Sequence, residues 1–155
     1  MRVYQFKVSI IGISELFRII EATENCTFSD LHDAIFNAFD KYDPHLYSFY
    51  ITKQDTKSLP KIFAAPEITH PENVENITGM KCKRKNACQT MLGSADLEKG
   101  DTFHYLFDFG DDWWHRIEVQ AVTDIPMNNK YIRRIRSVGI SPPQYPEYAQ
   151  TALSG

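Results

Sequence analysis

Residues 102–122 read TFHYLFDFGDDWWHRIEVQAV, and the reading of this stretch decides the fold. Phe103, Tyr105, Phe107 and Phe109 alternate with Thr102, His104, Leu106 and Asp108, the period of two that marks a strand with one buried face. After Gly110-Asp111-Asp112, the series Trp113, His115, Ile117, Val119 and Ala121 restores an apolar face. A two-residue turn would pair Phe109 with Asp112 and place Arg116 and Glu118 among the phenylalanines. A three-residue loop pairs Phe109 with Trp113 and keeps the apolar residues together. The buried face sets the register, so the three-residue loop is expected. It puts His115 opposite Phe107, Glu118 opposite His104, and Arg116 diagonal to Asp108.

Upstream, Tyr4, Phe6, Val8 and Ile10 alternate in the same way, Gly12 and Ser14 supply a turn, and residues 16–22 return as a second strand. Thr27 and Asp30 have the spacing of a helix cap. Leu31, Ala34, Ile35, Ala38 and Phe39 then form one apolar stripe of an amphipathic helix, which Pro44 is expected to end. A third strand is expected over 46–52 and a short one at Ile62-Phe63-Ala64. A loop is expected from Pro66 to Gly79, a short helix or two within 87–99, and an irregular tail from about residue 126 with a helical turn or two at 147–153. The expected fold is one α+β domain over residues 1–155. It has an antiparallel sheet with an N-terminal hairpin, one amphipathic helix packed on the sheet, and the long 102–122 hairpin.

Ten Phe, eight Tyr and two Trp within a hydrophobic fraction of 43% suffice for a core without covalent staples. The stretch from Val8 to Ile20 is interrupted by Ser9, Gly12, Ser14, Glu15 and Arg18, so neither a membrane span nor a signal peptide is expected. Cys26, Cys82 and Cys88 form no disulfide framework and fit a reducing compartment, so a cytoplasmic location is expected. Five residues separate Cys82 from Cys88, outside the spacing of a zinc knuckle, and no metal or cofactor is expected.

The net charge is −3, yet two windows are basic. Lys81, Lys83, Arg84 and Lys85 form one, and Lys130, Arg133, Arg134 and Arg136 the other, with no acid in either. They are candidates for phosphate contact if they share a face. His104, Asp108, Asp111, Asp112 and His115 invite an acid–base or metal reading. The expected register disperses them, with His115 on the core face, His104 and Asp108 on the other, and cross-strand charge pairs accounting for the rest.

The block F-x-Y-x-F-D-F-G-D-D-W-W-H-R-I-E-V at 103–119 resembles the hallmark of the plasmid pRiA4b ORF-three-like family. The opening hairpin, the helix with Leu31-His32 and the strand at His45-Leu46-Tyr47 resemble further parts of that family in the same order. The resemblance implies a compact α+β domain with an antiparallel sheet. It implies no activity, although some members are labelled resolvase-like passengers of mobile elements. If the family shares a site, Asp108, Gly110, Asp111, Trp113 and His115 are the positions that match it. Many members also carry Cys- and Asp-containing loops around a Pro-Pro pair. Here Gly139 and Pro142-Pro143 remain, but no cysteine follows Cys88, so a role built on those cysteines does not carry over.

With no Walker loop, no GxGxxG, no G-x-S-x-G and no H-E-x-x-H, a non-enzymatic binding module is the leading expectation. Nucleic acid is its first candidate partner, a protein the next, with surface aromatics such as Trp114 assisting. The rivals are an enzyme or metal-dependent hydrolase using Asp108, Asp111 and His115, and a structural protein-protein interaction or dimerisation domain formed through an unpaired sheet edge.

Overall fold

Tyr4, Phe6, Val8 and Ile10 put their side chains on the core side of β1 (Arg2–Ile10), which turns through Gly12 into β2 (Phe17–Thr23). A computed structural model of the chain describes residues 1–74 and 84–145. Lys81, Cys82, Lys83 and the turns expected at 147–153 lie outside the described residues. Both arms of a capping box start α1 (Phe28–Ala38). The Thr27 hydroxyl accepts the Asp30 N–H at 3.1 Å, and the Asp30 carboxylate accepts the Thr27 N–H at 2.8 Å. The helix ends earlier than Pro44. Asp40 turns left-handed (φ 55°), and the N–H groups of Asp40 and Lys41 bond the Asn37 and Phe36 carbonyls at 3.2 and 3.0 Å. This Schellman closure satisfies the last carbonyls and turns Lys41 back against the helix end.

β3 (Tyr47–Tyr50) follows as expected. The segment Ile62-Phe63-Ala64 is not a strand. It belongs to a short helix, α2 (Leu59–Ala64), with Ser58 as its cap and Pro60 in its first turn. β4 (Glu67–Thr69) lies where a loop was expected, tied to β3 by the Ser48 and Thr69 hydroxyls at 2.7 Å. After β5 (Lys85–Asn86) come two short 3₁₀ turns at Ala87–Gln89 and Leu92–Ala95, then β6 (Thr102–Phe107) and β7 (Trp113–Asp124). The tail is not irregular throughout, because Ile132–Val138 forms β8 against β2. Arginines at three of its seven positions hide the alternation that would announce a strand.

One eight-stranded sheet results, in the order β5-β4-β3-β6-β7-β1-β2-β8. It is mixed rather than purely antiparallel, since β4 and β5 run parallel. α1 covers one face, burying Phe28, Leu31, Ile35 and Ala38 against strand aromatics. Phe28 meets Phe49 at 5.2 Å and Phe103 at 6.4 Å between ring centroids. Burying Phe28, Leu31 and Ile35 contributes about 1.5–3 kcal/mol of transfer free energy for each side chain. On the opposite face α2 covers a small cluster in which Ile62 packs with Tyr50, Leu106 and the half-buried Trp114.

The β6–β7 register differs from expectation by two residues. Phe107, not Phe109, pairs with Trp113, so His115 faces Tyr105 and Arg116 faces His104. The slip preserves which face is buried, which is why the apolar pattern could not detect it. Its cause is local. Asp108 leaves the strand at φ 64°, and its carboxylate accepts the N–H groups of Gly110 and Asp111 at 3.0 and 3.3 Å. The loop therefore spans 108–112, with Phe109 exposed in it.

Candidate functional site

The loops at one end of the sheet bring the chemically interesting residues together. The α1–β3 connection carries Lys41, Asp43 and His45, and the β6–β7 loop lies beside it, joined by the Asp108 N–H to the Leu46 carbonyl at 2.9 Å. Asp108 is buried, and its free oxygen lies 3.5 Å from His45 Nε2. The Tyr145 hydroxyl donates to Asp43 at 2.5 Å, so it accepts from His45 Nε2 at 2.8 Å. Gln144, buried, fixes the same connection. Its carbonyl accepts the Tyr42 and Asp43 N–H groups at 3.0 and 3.1 Å, and its amide donates to the Asp43 carbonyl at 2.8 Å. The segment after β8 thus acts as a strap over the loop.

Behind this polar surface, His115 points into the core between Phe39 and Tyr105, with ring centroids 5.4 and 5.0 Å away. Its Nδ1 donates to the Trp113 carbonyl at 2.9 Å. Burial holds its pKa down to about 3, so the ring is neutral and Nε2 carries a bare lone pair. The Lys41 ammonium sits 3.6 Å above the Trp113 ring, and burial lowers its pKa to about 8. Nearby, buried Arg18 donates from Nε to the Ala38 carbonyl at 2.8 Å and closes the C-terminus of α1.

These elements fall within a known pattern, for residues 2–145 match the sequence profile described as plasmid pRiA4b ORF-3-like protein. The chain belongs to that family. Its pRiA4b ORF-3-like fold is also similar to the crystal structure of the protein of unknown function MM3350 from Methanosarcina mazei Go1. The TM-score is 0.67 at 22% identity, over 99% of this chain and 89% of that one. A search of the curated proteins finds no match.

The pRiA4b ORF-3-like block divides between two jobs. Asp108, Gly110 and Asp111 build the loop, while Trp113 and His115 lie on the core side of β7. The side chains of Asp108, Asp111 and His115 make no hydrogen bond or ion pair with one another among the described residues, and the one link is the Asp111 N–H to the Asp108 carboxylate. Asp111 is exposed and His115 is turned inward. His104 is not paired with Glu118. It is buried with Nδ1 3.1 Å from the Thr52 hydroxyl, while Arg116 bonds both oxygens of Asp55 at 3.0 and 3.1 Å and Glu118 at 3.1 Å. Among the described residues no three His, Cys, Asp or Glu side chains are grouped to hold a metal ion, and no helix is long and apolar enough to cross a membrane.

Among the described residues the basic windows do not share a face. Lys85 is on β5 and Arg133, Arg134 and Arg136 are on β8, at opposite edges of the sheet. Several of these cations are also engaged, Arg84 with Glu67 at 3.1 Å, Lys130 with Asp30 at 2.8 Å and Arg133 with Glu21 at 3.1 Å. Trp114 is not a free stacking platform, because Tyr50 and Phe63 flank it at 5.9 and 5.8 Å. Sequence reasoning missed Lys41, Asp43, Gln144 and Tyr145 as members of one site. They lie about 100 residues apart, and no local spacing links them.

Proposed function

We propose that this domain is a non-enzymatic binding module that takes an anionic partner along the outer edge of β8, with nucleic acid the first class to test. The observation that carries the reading is the edge itself. Among the described residues β8 pairs with β2 alone, so one side of a seven-residue strand keeps its backbone donors and acceptors free of sheet partners there. Arg134 and Arg136 lie on this strand without an ion pair among the described residues, and a bulge opposite Ile19 and Ile20 sets Ile135 between them, 43% exposed. Arg136 instead rests over the Phe17 ring at 5.7 Å, which holds its guanidinium on the sheet surface. Two copies meeting edge to edge here would oppose arginine to arginine, so the charge favours an acidic partner over a second copy.

Fluorescence anisotropy of a labelled DNA duplex across a salt series tests this. The edge alone supplies two or three phosphate contacts, so the log–log slope of affinity against salt is expected near −2 to −3. It should flatten in the Arg133→Gln, Arg134→Gln, Arg136→Gln variant. Absence of binding at low salt would assign these arginines to blocking edge pairing instead, and binding of an acidic peptide in its place would move the partner to protein.

A further inference from the structure

Four buried side-chain polar atoms of the described residues have no hydrogen-bond partner, and three of them are Lys41 Nζ, Trp113 Nε1 and His115 Nε2. Native proteins leave few such atoms, and their clustering asks for a ligand or a trapped water. The three belong together. Trp113 and His115 are two residues apart on one face of β7, the Lys41 ammonium lies on the Trp113 ring, and its charge is felt at His115.

We propose that Lys41, Trp113 and His115 form a receptor for one carboxylate group, buried beneath the α1–β3 connection and the β6–β7 loop. The chemistry follows from the donor set. Lys41 remains an ammonium at neutral pH and is only 7% exposed, with no acid among the described residues in hydrogen-bond or ion-pair contact and with Asp40 exposed to solvent. A buried charge of this kind is costly until an opposite charge meets it. A monoanion neutralises it, whereas a phosphate dianion would leave a net charge in the core. The ammonium and the indole N–H supply two donors for the two carboxylate oxygens. The bare His115 nitrogen adds an acceptor beside them, so a carboxylate with a neighbouring hydroxyl or amide N–H matches better than a simple one. Both a free small hydroxy acid and the C-terminus of a partner chain have that chemistry.

The two indole N–H resonances of the ¹⁵N-labelled protein read the site directly, with Trp114→Phe assigning them. Glycolate, acetate, sodium phosphate and sodium chloride are titrated at matched ionic strength. A triglycine peptide with a free or an amidated C-terminus separates the two sources. The Trp113 resonance is expected to shift saturably with glycolate, with a dissociation constant on the order of 1 mM, consistent with so few ligand atoms. Acetate should bind more weakly, and phosphate should act no differently from chloride. In Lys41→Met the glycolate shift should weaken at least about tenfold, while the melting temperature holds or rises because an unpaired buried charge has gone. A Trp113 resonance that responds to glycolate only as it does to chloride would overturn the proposal and assign the three atoms to a bridging water. An undiminished shift in Lys41→Met would overturn it as well.

Discussion

Acidification from pH 7.5 to pH 5 is expected to remove about 4 kcal/mol of stability, roughly 2 kcal/mol from each of two buried histidines. Burial is the leading cause of both depressions. His32 and His115 are each held to about 3 against an ordinary value of 6.5. His32 lies stacked on Tyr47 at 3.7 Å with Nδ1 2.6 Å from the Tyr105 hydroxyl, and His115 sits between Phe39 and Tyr105. As pH falls below 6.5 the unfolded chain takes up both protons and the folded chain takes up neither. Stability therefore declines throughout the window from 6.5 to 3, by up to about 1.4 kcal/mol per pH unit for each ring. His104, also lowered chiefly by burial, acts in the same direction. Domains of this size have about 5–15 kcal/mol in total, so unfolding near pH 4 is expected. Urea titrations at pH 7.5 and pH 5 measure the loss, and His32→Phe should roughly halve it. A stability that stays level across that range would show that these rings charge readily in the folded state.

Gly139→Ala is expected to cost about 2–4 kcal/mol, seen as a fall in melting temperature of about 5–15 °C. Gly139 ends β8 at φ 83°, and a Cβ there would lie 2.6 Å from the Glu15 carbonyl oxygen and 3.1 Å from Leu16 Cα. Both obstacles are backbone, so no side-chain rotation relieves them. The left-handed conformation adds its own penalty. Gly12→Ala is the internal control. Gly12 has φ 94° but nothing within 4 Å of a new Cβ, so only the conformational penalty of about 1–2 kcal/mol should appear. The larger loss matters for the site as well. Gly139 steers the chain into the strap, where Ser141 donates to the Phe39 carbonyl at 2.8 Å and Gln144 pins Tyr42 and Asp43.

How much of this was legible in the sequence depended on the range of the interaction concerned. The hairpin of β1 and β2, the capping box of α1 and the core face of β7 follow from patterns a few residues long, and they were readable. The inward orientation of His115 was readable for the same reason. β8 was not, because its strand character comes from pairing with β2 more than 100 residues earlier, while its own surface is arginine-rich. The α2 segment was misread because Ile62-Phe63-Ala64 suits either a strand or a helix, and the deciding signals, Ser58 and Pro60, precede it. The β6–β7 slip of two residues was invisible in principle, since every side chain keeps its face. Only the Asp108 carboxylate, capping the loop, distinguishes the two registers. The site depends on contacts of the longest range. Lys41 reaches Trp113 and Gln144 reaches Asp43 only after the sheet has assembled.

The most direct measurement of the central claim is a backbone amide ¹H–¹⁵N map of the protein titrated with a short DNA duplex at low salt. The account predicts shifts concentrated on residues 132–138 and on their neighbours in β2, with the loops at 39–46 and 108–112 unmoved. Shifts confined to those loops, or none anywhere on β8, would contradict it.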